Sequence, residues 1–294
     1  MTRIVNVLGG LGNQMFQFAF ATALKAEYPE DEIKINISCF NGYPLHNGFE
    51  IERIFPYSNF QHATIKDLFK VAYPWIHYKL WQIGRRILPK RNGMAIDKDY
   101  RLDFNFYTVK DKTYFDGYWQ APIYFEKHRD RIKQDFTFPP IKKEDVKNIQ
   151  ALKFIKDNST AFIHIRRGDY INHPTFGGIC TLAYYIKAIQ ILREQYAFHR
   201  FIIFSNDIEW CKKELSNELI DCEILYSDWN QGSESYRDMQ LMSKCDAGIV
   251  ANSSFSWWGA WLSDASLILC PYKWCNINSL NRNIIPHYWH KINY

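Results

Sequence analysis

From Phe138-Pro139-Pro140 onward the chain keeps one repeated order: apolar runs of strand length alternate with segments of helix length. The runs at 160–165, 200–204, 222–226, 246–251 and 266–270 predict strands, and 142–157, 181–196, 207–216, 233–244 and 255–263 predict helices. Between 181 and 196, Leu182, Tyr185, Ile186, Ile189, Leu192 and Tyr196 fall on one face, with Thr181 placed to cap the helix. Helices inserted between strands give each strand a crossover long enough to pair in parallel with another. The expected fold class is therefore α/β with a doubly wound parallel sheet.

The first half shows the same order less regularly. Arg3 to Leu8 reads as a strand, Gly9-Gly10-Leu11-Gly12 breaks it, and Asn13 to Ala26 reads as a helix, with Asn13 its expected cap. A second strand is expected near 32–37. Residues 38–138 carry many aromatics and several prolines without a clean period. One exception is Ile76, Leu80, Ile83 and Ile87, at helical spacing after Pro74. With 294 residues the chain suits two domains, 1–140 and 141–294, with a tail free to return to the first. Two such domains would make a cleft, and ligands in open α/β sheets bind beyond the carboxyl ends of the strands.

Several classes of function are excluded. No run reaches the ~18 apolar residues of a membrane span. The start of the chain carries one positive charge, and its apolar run is interrupted by Asn6, Asn13 and Gln14, so no signal peptide is expected. Seven cysteines without a CxxC pair fit a reducing compartment better than a disulfide framework, and the expected location is cytoplasmic. The net charge of +5 sits in residues 1–150, with 22 basic against 17 acidic side chains. Six of those basic residues fall between 68 and 96 with no acidic one, too local an excess for a nucleic-acid stripe.

Three constellations carry chemistry. His164-Ile165-Arg166-Arg167-Gly168-Asp169 ends an apolar strand, so His164 and Arg166 share a face and Arg167 points the other way. A fixed guanidinium fork there suits a phosphate, unless it pairs with Asp169 to hold the turn. The turn at Gly10, Gly12, Asn13 and Gln14 departs from GxGxxG and from the P-loop, yet presents amides at a helix N-terminus, either for an anion or as a plain cap. In Asp246 to Trp261, Ser253, Ser254 and Ser256 stand where a helix begins, and Phe255 could stack on a base, while Trp257, Trp258 and Trp261 read as core. Asp238 could accept two hydrogen bonds from guanine or be a solvated helix residue. Ser205-Asn206-Asp207 is a helix cap or a ligand-facing loop.

Weaker signals remain. Asp97-Lys98-Asp99 matches the DxD of metal-dependent sugar transferases without a convincing strand before it. His287 and His290 have nothing to complete a metal set. Residues 74–91, with Trp75 and Trp81, suit either a basic amphipathic helix touching a membrane or a solvated basic face over a local core.

Taken in order, three stretches resemble glycosyltransferase family 11, the α-1,2-fucosyltransferases. They are Gly9-Gly-Leu-Gly-Asn-Gln-Met-Phe-Gln17, His164-Ile-Arg-Arg-Gly-Asp-Tyr170, and Met242-Ser-Lys-Cys-Asp246 running into Asn252-Ser-Ser-Phe-Ser-Trp-Trp-Gly-Ala-Trp261. Pro271 and Trp274 also fit. The likeness spans nearly the whole chain and is thin between about 38 and 115.

The resemblance implies a GT-B-like fold of two facing Rossmann-like domains, with the nucleotide on the C-terminal one and the acceptor side on the N-terminal one. It implies GDP-fucose as donor, a galactose-terminated glycan as acceptor, and no metal or cofactor. Arg166 would meet the diphosphate, with His164, Asn206, Asp238, Ser253, Ser254 and Phe255 around the nucleotide, and Asn13 across the cleft. The reaction would invert the anomeric carbon, and Asp169 is the candidate base, with pairing to Arg167 as its structural alternative. Competing readings are a metal-dependent transferase using Asp97 and Asp99, and a non-catalytic sugar- or nucleotide-binding module.

Overall fold

The computed structural model describes residues 1–97, 110–277 and 283–294. They form two compact units, Met1–Pro139 and Pro140–Tyr294, each built on one parallel sheet. The α/β class expected from the alternating pattern is the class found.

The first unit orders its five strands β3-β2-β1-β5-β4. β1 (Thr2–Asn6) leads into helix α1 (Leu11–Glu27), then β2 (Glu32–Asn36), α2 (Ile51–Ile54), β3 (Gln61–His62), α3 (Ile65–Val71), α4 (Tyr78–Ile87), β4 (Met94–Ile96), β5 (Tyr114–Asp116) and α5 (Arg129–Asp135). From Leu11 to Leu24 nearly every residue of α1 is buried, which explains its Ala- and Phe-rich composition: an element covered on most sides needs no polar face. Residues 38–97, opaque in the sequence, contribute three helices and two short strands. Their core gathers Leu68, Ala72, Trp75, Trp81, Met94 and Tyr114.

Helix α4 departs from its expected form in two ways. It starts at Tyr78, where the His77 side chain accepts from the Lys79 amide, and not at Pro74. Its buried face is Trp81 and Gly84, while Leu80, Ile83 and Ile87 face solvent and Ile76 precedes the helix. Gly84 is required there, because a Cβ on it would lie 2.1 Å from the Trp75 ring. The period was helical, but the aliphatic stripe is not the core face.

The second unit runs α6 (Val146–Asp157), β6 (Ala161–Ile165), α7 (Leu182–Gln190), β7 (Arg200–Ser205), α8 (Ile208–Glu214), β8 (Glu223–Ser227), α9 (Tyr236–Met242), β9 (Ala247–Ile249), α10 (Ser254–Leu262), β10 (Leu267–Pro271) and β11 (His290–Ile292). Thr181 caps α7 as expected, and the helix continues through one π turn at 191–195. The tail, expected to be free to return to the first domain, instead pairs in parallel with β10 through His290 to Ile292. The strand order is β11-β10-β9-β6-β7-β8. Successive strands thus step one way from β6 and then the other, and the reversal lies between β6 and β9. That is the Rossmann-like order, in which the helices after the two central strands leave on opposite faces and open a crevice at the carboxyl edge.

Candidate functional site

The crevice at the carboxyl ends of β6 and β9 collects most of the polar residues singled out above. β6 is paired on both sides, with β7 and β9. His164, its fourth residue, is consequently buried, and its ring lies 5.8 Å from that of Phe255. Burial, helped by the nearby Arg166 charge, pushes its pKa down to about 3, so the imidazole is neutral at physiological pH. Its Nδ1 is a buried polar atom without a hydrogen-bond partner among the described residues.

Arg166 is partly exposed just beyond the strand. Its guanidinium holds Asp169 through both oxygens, Nε to Oδ1 at 2.9 Å and Nη2 to Oδ2 at 3.0 Å. Asp169 therefore pairs with Arg166, as the turn-holding alternative for that guanidinium expects, and not with Arg167. Arg167 instead binds Asp207 at 3.0 Å and lies over the Trp210 ring. The Asn206 side-chain oxygen accepts the Arg167 amide at 2.9 Å, and Asp207 caps α8. Asn206 thus braces the turn that presents Arg166. Gly168 is fixed by the same turn: its φ is +33°, and a Cβ would meet the Asn206 amide nitrogen at 2.6 Å.

Opposite this turn, α10 begins. Ser253 is its N-cap, with its hydroxyl accepting from the Phe255 amide at 3.3 Å, and Ser254 is the first helical residue. The hydroxyl of buried Ser256 goes to the Ala251 and Ser253 carbonyls. Backbone N–H groups of the first turn have no intrahelical acceptor, and with the helix dipole they favour an anion. Tyr170 ties the two loops together: Arg166 sits 5.7 Å from its ring, and its hydroxyl interacts with Ser253. Trp257, Trp258 and Trp261 are fully buried, as their core assignment requires.

Asp238 lies on α9, which packs against α10. Its Oδ1 accepts from Ser227 at 2.7 Å and Asn230 at 2.8 Å. Oδ2 receives no hydrogen bond from the described residues. Burial raises the carboxyl to about 7 despite those two donors. It is a held carboxylate with one open oxygen rather than a solvated helix residue. Ser227 and Asn230 were not singled out in the sequence, since nothing local marks a serine at a strand end as a carboxylate's partner.

The first unit has its own reversal, between β1 and β5. The N-cap of α1 is Gly10, not Asn13. Asn13 sits in the first turn and accepts from Gln120 at 2.6 Å, joining the start of α1 to the loop that follows β5. Gln14 is buried and fully used: it donates to the Gly9 and Gly48 carbonyls and accepts the Glu50 amide. Gly10 lies under the His46 ring, and Gly12 is buried within the helix. A registered polar row went unseen in the sequence. Asn6 binds Asp116 at 3.2 Å and Asn36 binds Asn6 at 2.9 Å, and Trp81 donates to Asp116 at 2.9 Å.

Asp97 is buried at the end of β4, and Asp99 lies outside the described residues. Among the described residues no group of three or more His, Cys, Asp or Glu is arranged to hold a metal ion. No described helix is long and apolar enough to cross a membrane.

Comparison with known proteins identifies the family and the fold. The family model described as Glycosyl transferase family 11 matches residues 2–293. An α-1,2-colitosyltransferase of Escherichia coli is 32% identical, covering 98% of each chain. A galactoside α-(1,2)-fucosyltransferase 2 of Gorilla gorilla gorilla is 24% identical, covering 90% of this chain and 70% of its own. Among solved structures, NodZ α-1,6-fucosyltransferase soaked with GDP-fucose superposes with a TM-score of 0.53 at 14% identity, covering 90% of this chain and 93% of that one. At that identity the likeness is one of fold, and the fold is GT-B-like.

Proposed function

The chain belongs to glycosyltransferase family 11, and from that premise we propose that it moves L-fucose from GDP-β-L-fucose to the 2-hydroxyl of a terminal galactose, with inversion and without a metal. The observation that carries this reading is the meeting of two loops beyond β6 and β9, where the Arg166 guanidinium lies 5.7 Å from the Tyr170 ring and Tyr170 in turn reaches Ser253 at the N-terminus of α10. Such a pair offers two fixed positive ends to a diphosphate. The relatives' names support the transfer to a 2-hydroxyl.

In the proposed step the acceptor oxygen attacks the anomeric carbon from the face opposite GDP. The bond from that carbon to the β-phosphate oxygen breaks, and its electron pair leaves with GDP. Negative charge grows on the phosphate, and Arg166 with the α10 amides offsets it. Such preorganised donors are typically worth ~3–4 kcal/mol each in the transition state. To meet the phosphate, Arg166 must exchange Asp169 for it. The carboxylate released by that exchange is the candidate acceptor of the hydroxyl proton. Neutral His164 and Phe255 would line the nucleotide, Asp238 would take the guanine N–H donors, and the Gly10–Gln14 turn with Asn13 would serve the acceptor side.

A second donor is favoured by one observation: the 32%-identical relative is named a colitosyltransferase. Colitose is fucose without its 3-hydroxyl, so the two donors share every feature used above. Incubation with GDP-fucose or GDP-colitose and a panel of galactose-terminated oligosaccharides, with NMR mapping of the linkage, tests both. An α-1,2-fucosylated galactoside formed equally well in excess chelator is expected. Transfer from neither donor, or activity abolished by chelation and restored by a divalent cation, would overturn the proposal.

A further inference from the structure

Helix α4 displays an aliphatic stripe to solvent for which the transferase chemistry has no use. Leu80 is 51%, Ile83 56% and Ile87 72% exposed. Spaced three and four residues apart, they lie on one face, with Ile76 just before it and Leu88 just after it also exposed. Lys79, Arg86 and Lys90 flank the stripe and are exposed, and no Asp or Glu occurs between residues 68 and 96. The helix is fixed in this attitude from below. Trp81 donates to Asp116, the Trp75 ring lies against Gly84, and Arg85 on the inner side donates to the Asp97 carbonyl at 2.7 Å. Rotating the stripe inward would break all three contacts.

We propose that α4 is an interfacial docking helix that lays Leu80, Ile83 and Ile87 on an anionic phospholipid surface. The charge pattern selects this occupant. A helix lying at a bilayer interface sinks its apolar face to the acyl boundary, and flanking lysines and arginines reach sideways to the lipid phosphates. Acidic lipid attracts each cation near its surface, and no carboxylate on 68–96 opposes that attraction. A second copy of the chain would bring one set of cations against another. A handful of partly exposed aliphatic side chains also falls well short of the roughly 800 Å² per partner of a stable protein interface. This inference is independent of which sugar the enzyme transfers.

The full-length chain is sedimented with sucrose-loaded vesicles, either pure phosphatidylcholine or phosphatidylcholine mixed with phosphatidylglycerol. At least tenfold stronger partition onto the acidic vesicles is expected, weakening as salt is raised. The double variant Ile83→Asp/Ile87→Asp should lose at least tenfold of that partition. Lys79→Gln/Arg86→Gln/Lys90→Gln should lose it too. It alters only exposed side chains and so decides the matter if the aspartates disturb folding. Lys142→Gln/Lys143→Gln removes exposed charge elsewhere and should bind as the parent does. The proposal is overturned if the acidic vesicles are not preferred, or if the α4 charge variant binds no worse than the 142/143 variant. Light scattering that shows a dimer dissociated by Ile83→Asp/Ile87→Asp would also overturn it, since the stripe would then be a contact between copies.

Discussion

Asp238 offers the sharpest test of the proposed nucleotide site, because its protonation and its role as an acceptor are linked. Guanine presents N1–H and N2–H donors, so only the ionised carboxyl can receive both. Burial has raised this carboxyl to about 7, whereas an exposed aspartate titrates about three units lower. Below pH 7 the free site is therefore mostly protonated and must give up a proton to bind. With a pKa of about 7, roughly one chain in eleven is ready at pH 6 and ten in eleven at pH 8, so affinity for GDP should rise about tenfold between them. In Asp238→Asn the amide keeps one acceptor oxygen and turns donors toward the base. Hydrogen bonds to a charged acceptor are worth about 1.5–3 kcal/mol each, so the loss at pH 8 should be roughly 10- to 150-fold. At pH 6 the parent's own advantage shrinks tenfold. Calorimetric titration with GDP across pH 6–8 measures both proteins. Their ratio cancels the titration of the GDP phosphate, which they share. A ratio that stays flat with pH, or a variant that binds as tightly as the parent, would refute this account of the site. The same raised pKa makes the free enzyme lose stability as pH climbs from about 4 to 7, because the folded state keeps a proton that the unfolded chain releases. Above 7 this contribution is constant. Asp238→Asn should flatten that slope in denaturation curves.

Arg166→Ala should leave the melting temperature near that of the parent, since its ion pair with Asp169 is partly exposed, while kcat falls by about 10²–10³, as for loss of one preorganised donor. Near-normal turnover would remove it from the chemistry. Gly168→Ala forces a Cβ against Asn206 at a positive φ and should cost roughly 1–3 kcal/mol of stability, with weaker GDP binding from a displaced Arg166, both read by a thermal melt with and without GDP. In Gly84→Ala the added methyl meets the Trp75 ring, and chemical denaturation should show a loss of about 1–3 kcal/mol with GDP affinity intact.

The second half of the fold was legible because its signals are local. A strand such as Ala161–Ile165 is buried on both sides and must be apolar throughout, and the helices between strands carry their caps in sequence, as Thr181 and Ser253 show. Residues 38–97 were not legible, because their elements are short and their core is assembled from aromatics distant along the chain. Helix α4 shows the limit most clearly. Periodicity reports that one face differs from another but not which face meets the core. Trp75 against Gly84 and Trp81 on Asp116 settled that from outside the repeat.

For the candidate site, sequence alone determined which chemical groups are available: a guanidinium after a strand, serines and an aromatic at a helix start, and the order of motifs that marks the family. Tertiary structure decided their pairing. Arg166 rather than Arg167 took Asp169, Asn206 became a brace for the turn, Gln14 was taken up inside its loop, and Ser227 and Asn230 fixed one oxygen of Asp238 and left the other open. The physical reason is range. Propensity, capping and strand alternation act over a few residues, whereas an ion pair, a buried hydrogen bond or a shifted pKa depends on which distant groups the sheet brings within about 3 Å and on how much water is left between them.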